Sequence, residues 1–487
     1  MLFHAQSFIL GFLPLTLGGF FLLGRIGGAR WALRWLLLVS LIFYGWSDPA
    51  LVPLLGGSIL ANWALARRIA SCPQLRTRRL WLAAGVTGNL LLLGWFKYTG
   101  FVWTMVAPAI PAPDIVLPLA ISFFTFQQIM ALVDARDAPP SAEAPSILPY
   151  AVFVAFFPHL IAGPLVRPRE ILPQLTDPAL ATPRSANLTE GLAIFLLGLG
   201  KKLVLADPFG RFADTGFEAA AAGEVLTFFE AWYALLAYAL QIYFDFSGYS
   251  DMAIGLARMM NVRFPLNFDS PYQARSIAAF WRRWHVTLGA FLRDYVYIGL
   301  GGSRAGAGRQ VLALMVTMVL CGLWHGAAWR FVLWGGLHGV LLVIHALYRR
   351  VGPALPGPLA WPLTLFAVVL AWVPFRAADL PTAWSFALAL FGANGVALPA
   401  MIVGFVPGLG AVVDAVPVLR FLGDARTLSF PEVTACLILG WVLVLVPPHL
   451  HTWSERARGW ALTTGFAFTV QALFFAPHVA PFLYFQF

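Results

Sequence analysis

Apolar runs alternate with short arginine-bearing breaks along most of the chain, and many of the runs approach the length of a bilayer crossing. A helix needs roughly 20 mostly apolar residues to span the hydrocarbon core. Residues 8–23 form the first such run, Arg25, Arg30 and Arg34 follow, and residues 35–46 form the second. Ser47-Asp48-Pro49 marks a turn. Residues 51–66 are the third run, closed by Arg67, Arg68, Arg76, Arg78 and Arg79. Residues 80–96 and 117–133 come next, separated by a piece broken at Pro108, Pro111 and Pro113. Residues 150–165 are apolar but interrupted by Pro158-His159 and Gly163-Pro164. That pattern predicts a broken or re-entrant helix, which survives at membrane depth only where protein or trapped water satisfies the released backbone groups.

Residues 192–205 carry Lys201-Lys202, and 207–224 read as an aqueous loop. Residues 226–246 are a strong span that runs into 241–251, a stretch too polar for lipid and too apolar for a solvent loop. In residues 276–300, Trp281, Trp284, Leu288, Leu292 and Tyr295 fall on one face at about 100° per residue, with Arg282, Arg283 and Arg293 opposite. This predicts an amphipathic helix at the interface, with His285 at the edge of its apolar face. Residues 311–348 are long enough for two spans with a break near Trp329-Arg330, and Arg349-Arg350 close them. Runs at 363–375, 384–405, 433–446 and 460–475 complete the chain. The fold class is all-α: a polytopic membrane protein of about eleven crossings plus re-entrant and amphipathic pieces. Without an internal repeat or composition break, residues 1–487 read as a single integral membrane domain.

Arginine position sets orientation. The clusters at 25–34 and 67–79 lie two spans apart and therefore face one side. The positive-inside rule makes that side cytoplasmic and the N-terminus extracytoplasmic. The first run has no charged segment before it and no small-residue cleavage site after it, so it reads as a retained span. Composition agrees: 60% of residues are hydrophobic and 11% charged, against roughly a quarter charged in soluble domains. The net charge of +10 then belongs to cytoplasmic loops and does not call for nucleic acid. Nineteen Trp and 41 Phe suit aromatic belts at the two interfaces. Cys72, Cys321 and Cys436 are far apart and match no metal or redox spacing.

An ionisable side chain inside a membrane span is costly and asks for a function. Of nine histidines, His325 and His285 stand out, each following a Trp and each in or beside a segment that should enter the bilayer. His159, between Pro158 and the Gly163-Pro164 break, is a candidate tunnel-lining residue. His338 and His345 share a helical face and read as satisfied by neighbouring helices. There is no H-E-x-x-H and no carboxylate at ligand spacing from His325, so no metal site is expected. No G-x-S-x-G elbow points to a serine hydrolase. Isolated His and Asp could instead line a proton path.

Several stretches resemble the membrane-bound O-acyltransferases, in the bacterial branch of alginate O-acetyltransferases and teichoic-acid D-alanyl transferases. They are Ser40-Leu41-Ile42-Phe43-Tyr44-Gly45-Trp46, residues 117–127, residues 156–167, residues 241–257 and Phe264-Pro265-Leu266-Asn267-Phe268. Ser270-Pro271-Tyr272, residues 280–303, Gly322-Leu323-Trp324-His325-Gly326, Trp334-Gly335, His338-Gly339 and residues 372–377 follow in family order. The resemblance implies helices around a central tunnel, a thioester donor on the cytoplasmic side and an acceptor reached from the opposite face. The family's invariant histidine corresponds to His325 and its second motif residue to His285, which makes both expected catalytic residues. Arg282, Arg283 and Trp284 are the expected donor-binding residues, because arginine forks match phosphate oxygens; plain topology would place the same arginines there.

The expected function is an inner-membrane O-acetyltransferase that uses acetyl-CoA as donor substrate, with no tightly bound cofactor and no metal. The expected acceptor is an extracytoplasmic polysaccharide such as alginate, reached through a periplasmic or membrane-tethered acetyltransferase partner. D-alanyl transfer to teichoic acid, or non-enzymatic transport of an acyl or glycan intermediate, are the alternatives. Two places depart from the family pattern: residues 393–427, and the opening Met1-Leu2-Phe3-His4-Ala5.

Overall fold

The structure, a computed structural model, describes residues 1–139, 145–353, 355–399, 403, 414–416, 430–445, 466–467 and 482–483. These residues are overwhelmingly helical, as expected where each backbone N–H and C=O must find a partner inside its own segment. They form two compact units, one of residues 1–199 with 249–266, the other of residues 200–248 with 267–487.

In the first unit a π-helical turn, Phe8–Phe12, leads into α1, Leu13–Tyr44. α1 is a hairpin folded at Gly28, whose φ of 74° and ψ of −175° are open essentially to glycine alone. Trp35 Nε1 donates to the Thr16 carbonyl at 3.0 Å, and the Phe12 ring centroid lies 5.7 Å from that of Phe43. The two arms are the runs expected at 8–23 and 35–46, with Arg25 and Arg30 at the tip. α2 is Leu51–Ser71 and α3 is Leu75–Leu93. A second π-helical turn, Gly94–Tyr98, carries α3 into α4, Thr99–Val106, so this helical stretch runs ten residues past the expected 96. α5 is Ile121–Asp137.

Side-chain amides fasten these helices: Asn62 and Asn89 exchange hydrogen bonds at 3.2 and 2.6 Å between α2 and α3. Arg78 is more than an orientation signal. It is buried and donates to the carbonyls of Ala70, Cys72, Arg136 and Ala138 at 3.1, 2.7, 3.1 and 2.7 Å. It thereby satisfies the orphan carbonyls at the ends of α2 and α5.

The expected broken helix is present as α6, Ile147–Ala155, and the single turn α7, Phe157–Leu160. The break at Phe156 releases the Phe157 N–H, which the Ser40 hydroxyl accepts at 3.2 Å. His159 is fully buried there, with Nδ1 2.8 Å from Gln127 Nε2. α8, Pro168–Leu175, and α9, Ser185–Gly200, follow.

The second unit corrects three expectations. Residues 207–224 are no aqueous loop: α10, Asp207–Ala221, opens on Asp207-Pro208 and buries Phe209, Phe212 and Phe217. Proline in the first turn costs nothing there, because its missing N–H would be an orphan in any case. α11, Phe228–Met259, carries the ambiguous stretch 241–251 as uninterrupted helix. Its residues to 248 belong to the second unit and the remainder to the first. Residues 276–300 are not one amphipathic helix. α12, Ile277–Trp281, stops at a turn over 282–285, and α13, Val286–Phe291, restarts before a π-helical turn, Leu292–Tyr297.

α14, Ala307–His325, and α15, Trp329–Val351, form a hairpin, with the break at Gly326-Ala327-Ala328, just before the expected Trp329-Arg330. α16 is Gly357–Arg376 and α17 is Leu380–Leu390. The run expected at 384–405 ends early, because Gly392 and Gly395 take φ of 78° and 87°. A three-residue parallel pair follows, β1, Ala397–Pro399, with β2, Asp414–Val416. α18 is Phe430–Leu445. The run expected at 460–475 lies outside the described residues, save 466–467. By length and apolar composition, five described segments can cross a membrane: Phe8–Tyr44, Leu75–Val106, Ala307–His325, Trp329–Val351 and Gly357–Arg376.

The Gly28 hairpin is open to test. A Cβ at Gly28 meets nothing within 4 Å, so only the backbone conformation resists substitution. Gly28→Ala is expected to destabilise the purified protein by about 1–3 kcal/mol. Gly56→Ala, equally open but mid-helix in α2, should instead stabilise by up to about 1 kcal/mol. Thermal melts in one detergent compare them, and equal melting temperatures would contradict the hairpin.

Candidate active site

His325 is the last residue of α14. The helix ends there because Gly326 turns to extended backbone, φ −168° and ψ 148°. A Cβ at Gly326 would lie 2.1 Å from the Phe331 ring, so only glycine lets α15 start so close. The two helices touch backbone to backbone further down: a Cβ on Gly322 would sit 2.1 Å from the Phe331 carbonyl oxygen, and one on Gly335 2.2 Å from that of Met318. This close seating delivers the His325 ring into an aromatic box. Its centroid lies 4.8 Å from Trp324, 5.1 Å from Trp334 and 5.0 Å from Phe375. His325 and Trp334 line a small cavity with Ile242, Asp245, Phe246, Trp284, Trp372, Phe375 and Leu483.

His285 reaches the same cluster by a strained route. It sits in the turn between α12 and α13 with φ 46° and ψ 54°, the left-handed region. Outside glycine this conformation is uncommon, and it persists where the surroundings enforce it. Two backbone bonds bracket it: Asp269 N–H donates to the Arg283 carbonyl and Val286 N–H to the Asn267 carbonyl, both at 2.9 Å. The Asn267 side chain completes the cradle. Its Oδ1 accepts from Thr287 N–H at 3.3 Å and from Thr287 Oγ1 at 2.9 Å, and lies 3.1 Å from His285 Nδ1. A backbone N–H can only donate, so this atom is the amide oxygen and His285 Nδ1 carries the proton. Nε2 then holds the lone pair and has no hydrogen-bond partner among the described residues. The His285 ring lies 5.8 Å from Trp324, so both histidines pack on one indole.

The donor-binding expectation divides. Trp284 is buried in the cavity wall and tilts against Trp372 at 5.0 Å. Arg282 is exposed, Arg283 half-buried, and neither lines the cavity. Arg282 lies toward the far end of α15, where His345 sits in the field of both Arg282 and Arg349.

One histidine of this constellation is met by a neighbouring helix as expected, and two further parts escape the sequence reading. His338 is fully buried inside the cluster, and Trp281 Nε1 donates to its Nδ1 at 3.3 Å. Asn267 is the one polar side chain within Phe264-Pro265-Leu266-Asn267-Phe268, a signal that was there to use. Lys202, Asp207 and Asp245 form a buried ion cluster, with N–O distances of 2.7 and 2.8 Å. Nothing in the spacing of Lys202 and Asp245, 43 positions apart, announces that pair. His159 lies in the first unit.

The profile of the membrane-bound O-acyltransferase family matches residues 120–356, which include every histidine of the cluster. The chain is 37% identical to the peptidoglycan O-acetyltransferase of Helicobacter pylori over 522 aligned positions, covering 100% of this chain and 98% of that protein. It is 38% identical to the protein named probable alginate O-acetylase AlgI of Pseudomonas aeruginosa, covering 87% of this chain and 81% of that one. Similarity to the teichoic acid D-alanyltransferase of Streptococcus thermophilus is lower, 28% over 48% of this chain and 57% of that protein. Full-length likeness to named O-acetyltransferases, joined to an all-helical membrane architecture, establishes that the chain belongs to the membrane-bound O-acyltransferase family as a membrane O-acetyltransferase.

Proposed function

We propose that the chain takes an acetyl group from acetyl-CoA at the cytoplasmic face of the inner membrane. It passes that group toward the hydroxyl of an extracytoplasmic polysaccharide, of the alginate or peptidoglycan kind named in its relatives. The observation that carries this reading is His325, an imidazole on the wall of an aromatic cavity at the end of a membrane-length helix. An acceptor hydroxyl is a poor nucleophile at neutral pH. His325 takes its proton as the oxygen attacks the thioester carbonyl, a general-base contribution of about 10²–10⁴-fold. The new C–O bond closes a tetrahedral oxyanion; its collapse breaks the C–S bond, and coenzyme A leaves with the proton from His325. Trp334 supports the oxyanion step: its indole N–H is buried on the same cavity and has no hydrogen-bond partner among the described residues. His285, as the Nδ1–H tautomer, offers a basic Nε2 and is no oxyanion donor; its ring packs on Trp324, as does that of His325.

Arg282 and Arg283 receive the donor phosphates, with Trp284 carrying the binding surface into the cavity. Arg282 lies toward the Arg349-Arg350 end of α15, and His345 is about 24 Å along that helix from its His325-proximal start. A thioester entering from the basic end would lead its acyl group toward His325. The acceptor comes from the other face, delivered by a periplasmic or membrane-tethered acetyltransferase partner. Acetyl is favoured over D-alanyl because the teichoic-acid relatives match only about half of this chain.

The first unit supports the proposed topology. Arg25 and Arg30 at the α1 tip and Arg67, Arg68, Arg76 and Arg79 around the α2–α3 turn gather at one end, which is cytoplasmic by the positive-inside rule; the N-terminus is then extracytoplasmic. In a cysteine-free background, Cys introduced at Ala29 or Thr77 should resist a membrane-impermeant maleimide in intact cells. Efficient labelling there would reverse the orientation.

Donor binding makes a kinetic expectation. Replacing Arg282 and Arg283 with Gln should raise KM for acetyl-CoA more than it lowers kcat. Unchanged donor kinetics with impaired insertion would reduce both arginines to orientation signals.

The histidines decide the mechanism. His325→Ala should insert and purify as monodisperse protein, yet lose transfer of labelled acetyl by at least about a hundredfold. His285→Ala should also cripple transfer, and the double variant should be little worse than either single one, since residues acting as one unit are non-additive. His285→Asn, which tolerates the left-handed backbone, separates loss of the imidazole from loss of the turn. A well-folded His325→Ala protein with near-normal turnover would leave the transporter reading in its place.

A further inference from the structure

The cavity wall facing His325 carries a charge that the transfer chemistry described above does not use. Asp245 is 3% exposed on α11 and lines the same cavity as His325. Both of its oxygens are held: Oδ1 lies 2.8 Å from Lys202 Nζ, and Oδ2 accepts from Leu483 N–H at 2.9 Å. Lys202, 1% exposed, divides its ammonium between Asp245 and Asp207, at 2.8 and 2.7 Å. A shared ammonium neutralises neither carboxylate completely. Burying three ions in a membrane protein is expensive, and a hydrophobic substitute of the same volume would often be at least as stable. A carboxylate paired through both oxygens is a weakened base and a poor nucleophile. What it retains is a fixed negative field across a small apolar cavity, where charge acts far more strongly than in water.

We propose that Asp245 is a positioning residue for the acyl transfer: held by Lys202 and the Leu483 N–H, it supplies the negative charge against which His325 takes up the acceptor's proton. This rests on the reading of His325 as the base. Among the described residues of the second unit, the charged and titratable groups named next do not offer that field. His285 and His338 are imidazoles behind Trp324 and Trp334. Arg330, at the start of α15, is cationic and donates to the Phe375 and Ala377 carbonyls at 2.8 and 2.9 Å. Arg376, at the end of α16, pairs with Asp214.

The test is a double-mutant cycle on the full-length chain, reading release of free thiol from acetyl-CoA with water as acceptor. Asp245→Asn is expected to lower kcat about a hundredfold, the lower end for loss of a preorganised charge, with KM for acetyl-CoA unchanged within twofold. In a His325→Ala background the same substitution should change the residual rate by less than twofold, because Asp245 acts through His325. Asp207→Asn leaves the cavity wall intact but lets Lys202 neutralise Asp245 more fully. It should lower kcat in the same direction by less, and it carries the cycle alone if Asp245→Asn is not monodisperse. If either carboxylate variant lowers the rate equally with and without His325, or loses melting temperature while keeping kcat per folded molecule, the cluster is only a structural pin and the proposal is overturned. Normal turnover in His325→Ala is a different failure: it removes the base reading, and this inference with it.

Discussion

The site depends on how closely α14 and α15 approach. Lipid tails are as apolar as leucine, so helices in a membrane gain little from hiding apolar surface and much from fitting together. Gly322 and Gly335 let the two backbones meet where any Cβ would collide with a carbonyl oxygen. That fit sets the height and rotation of His325, and Gly326 ends α14 where the ring can enter the box of Trp324, Trp334 and Phe375. The aromatic side chains fill the volume around the imidazole. The turn holding His285 is then fixed against Trp324 from its own side by Asn267.

Much of this was legible because apolar length and arginine position are strong signals. The α1 hairpin, the split near Trp329-Arg330, the break after Phe156 and the prominence of Trp324-His325 all come from local pattern. The failures share a cause. Residues 276–300 have helical periodicity, yet the periodicity says nothing of a left-handed residue imposed by Asn267 from 18 positions away. Residues 207–224 read as aqueous because Asp207 counts as a solvated charge until Lys202 is known to cover it. The stretch 241–251 looked fit for neither lipid nor water for the same reason: Asp245 has its partners elsewhere in the chain. Periodicity reports which face is apolar, and it is silent on polar groups that satisfy one another at long range.

At several places in the second unit, polar side chains inside apolar surroundings are held by partners that fix one orientation. Asn267 fixes the His285 tautomer, Trp281 fixes the Nδ1 side of His338, and Lys202 with Leu483 fixes Asp245. Tyr272 donates to the Ala239 carbonyl at 2.8 Å and accepts from Trp372 Nε1 at 3.1 Å, tying the aromatic wall to α11. A membrane enzyme cannot let such groups wander, because each lost bond leaves a bare dipole in a medium that offers none in exchange.

The Leu483 N–H bond to Asp245 also has a meaning in time. The two residues are 238 positions apart, so at roughly 5–20 residues per second a ribosome needs about 10–50 s to supply the second after the first. In the later part of that interval, once residues 307–351 have been made, α14 and α15 can insert and pair and His325 can approach its box, while one wall of the cavity is still unmade. A nascent chain thus carries its imidazole before it has a closed chamber around it, and the chamber is complete only once residue 483 has been made. Truncation anywhere between α15 and that point would leave a protein whose histidine motif is intact and whose cavity lacks that wall.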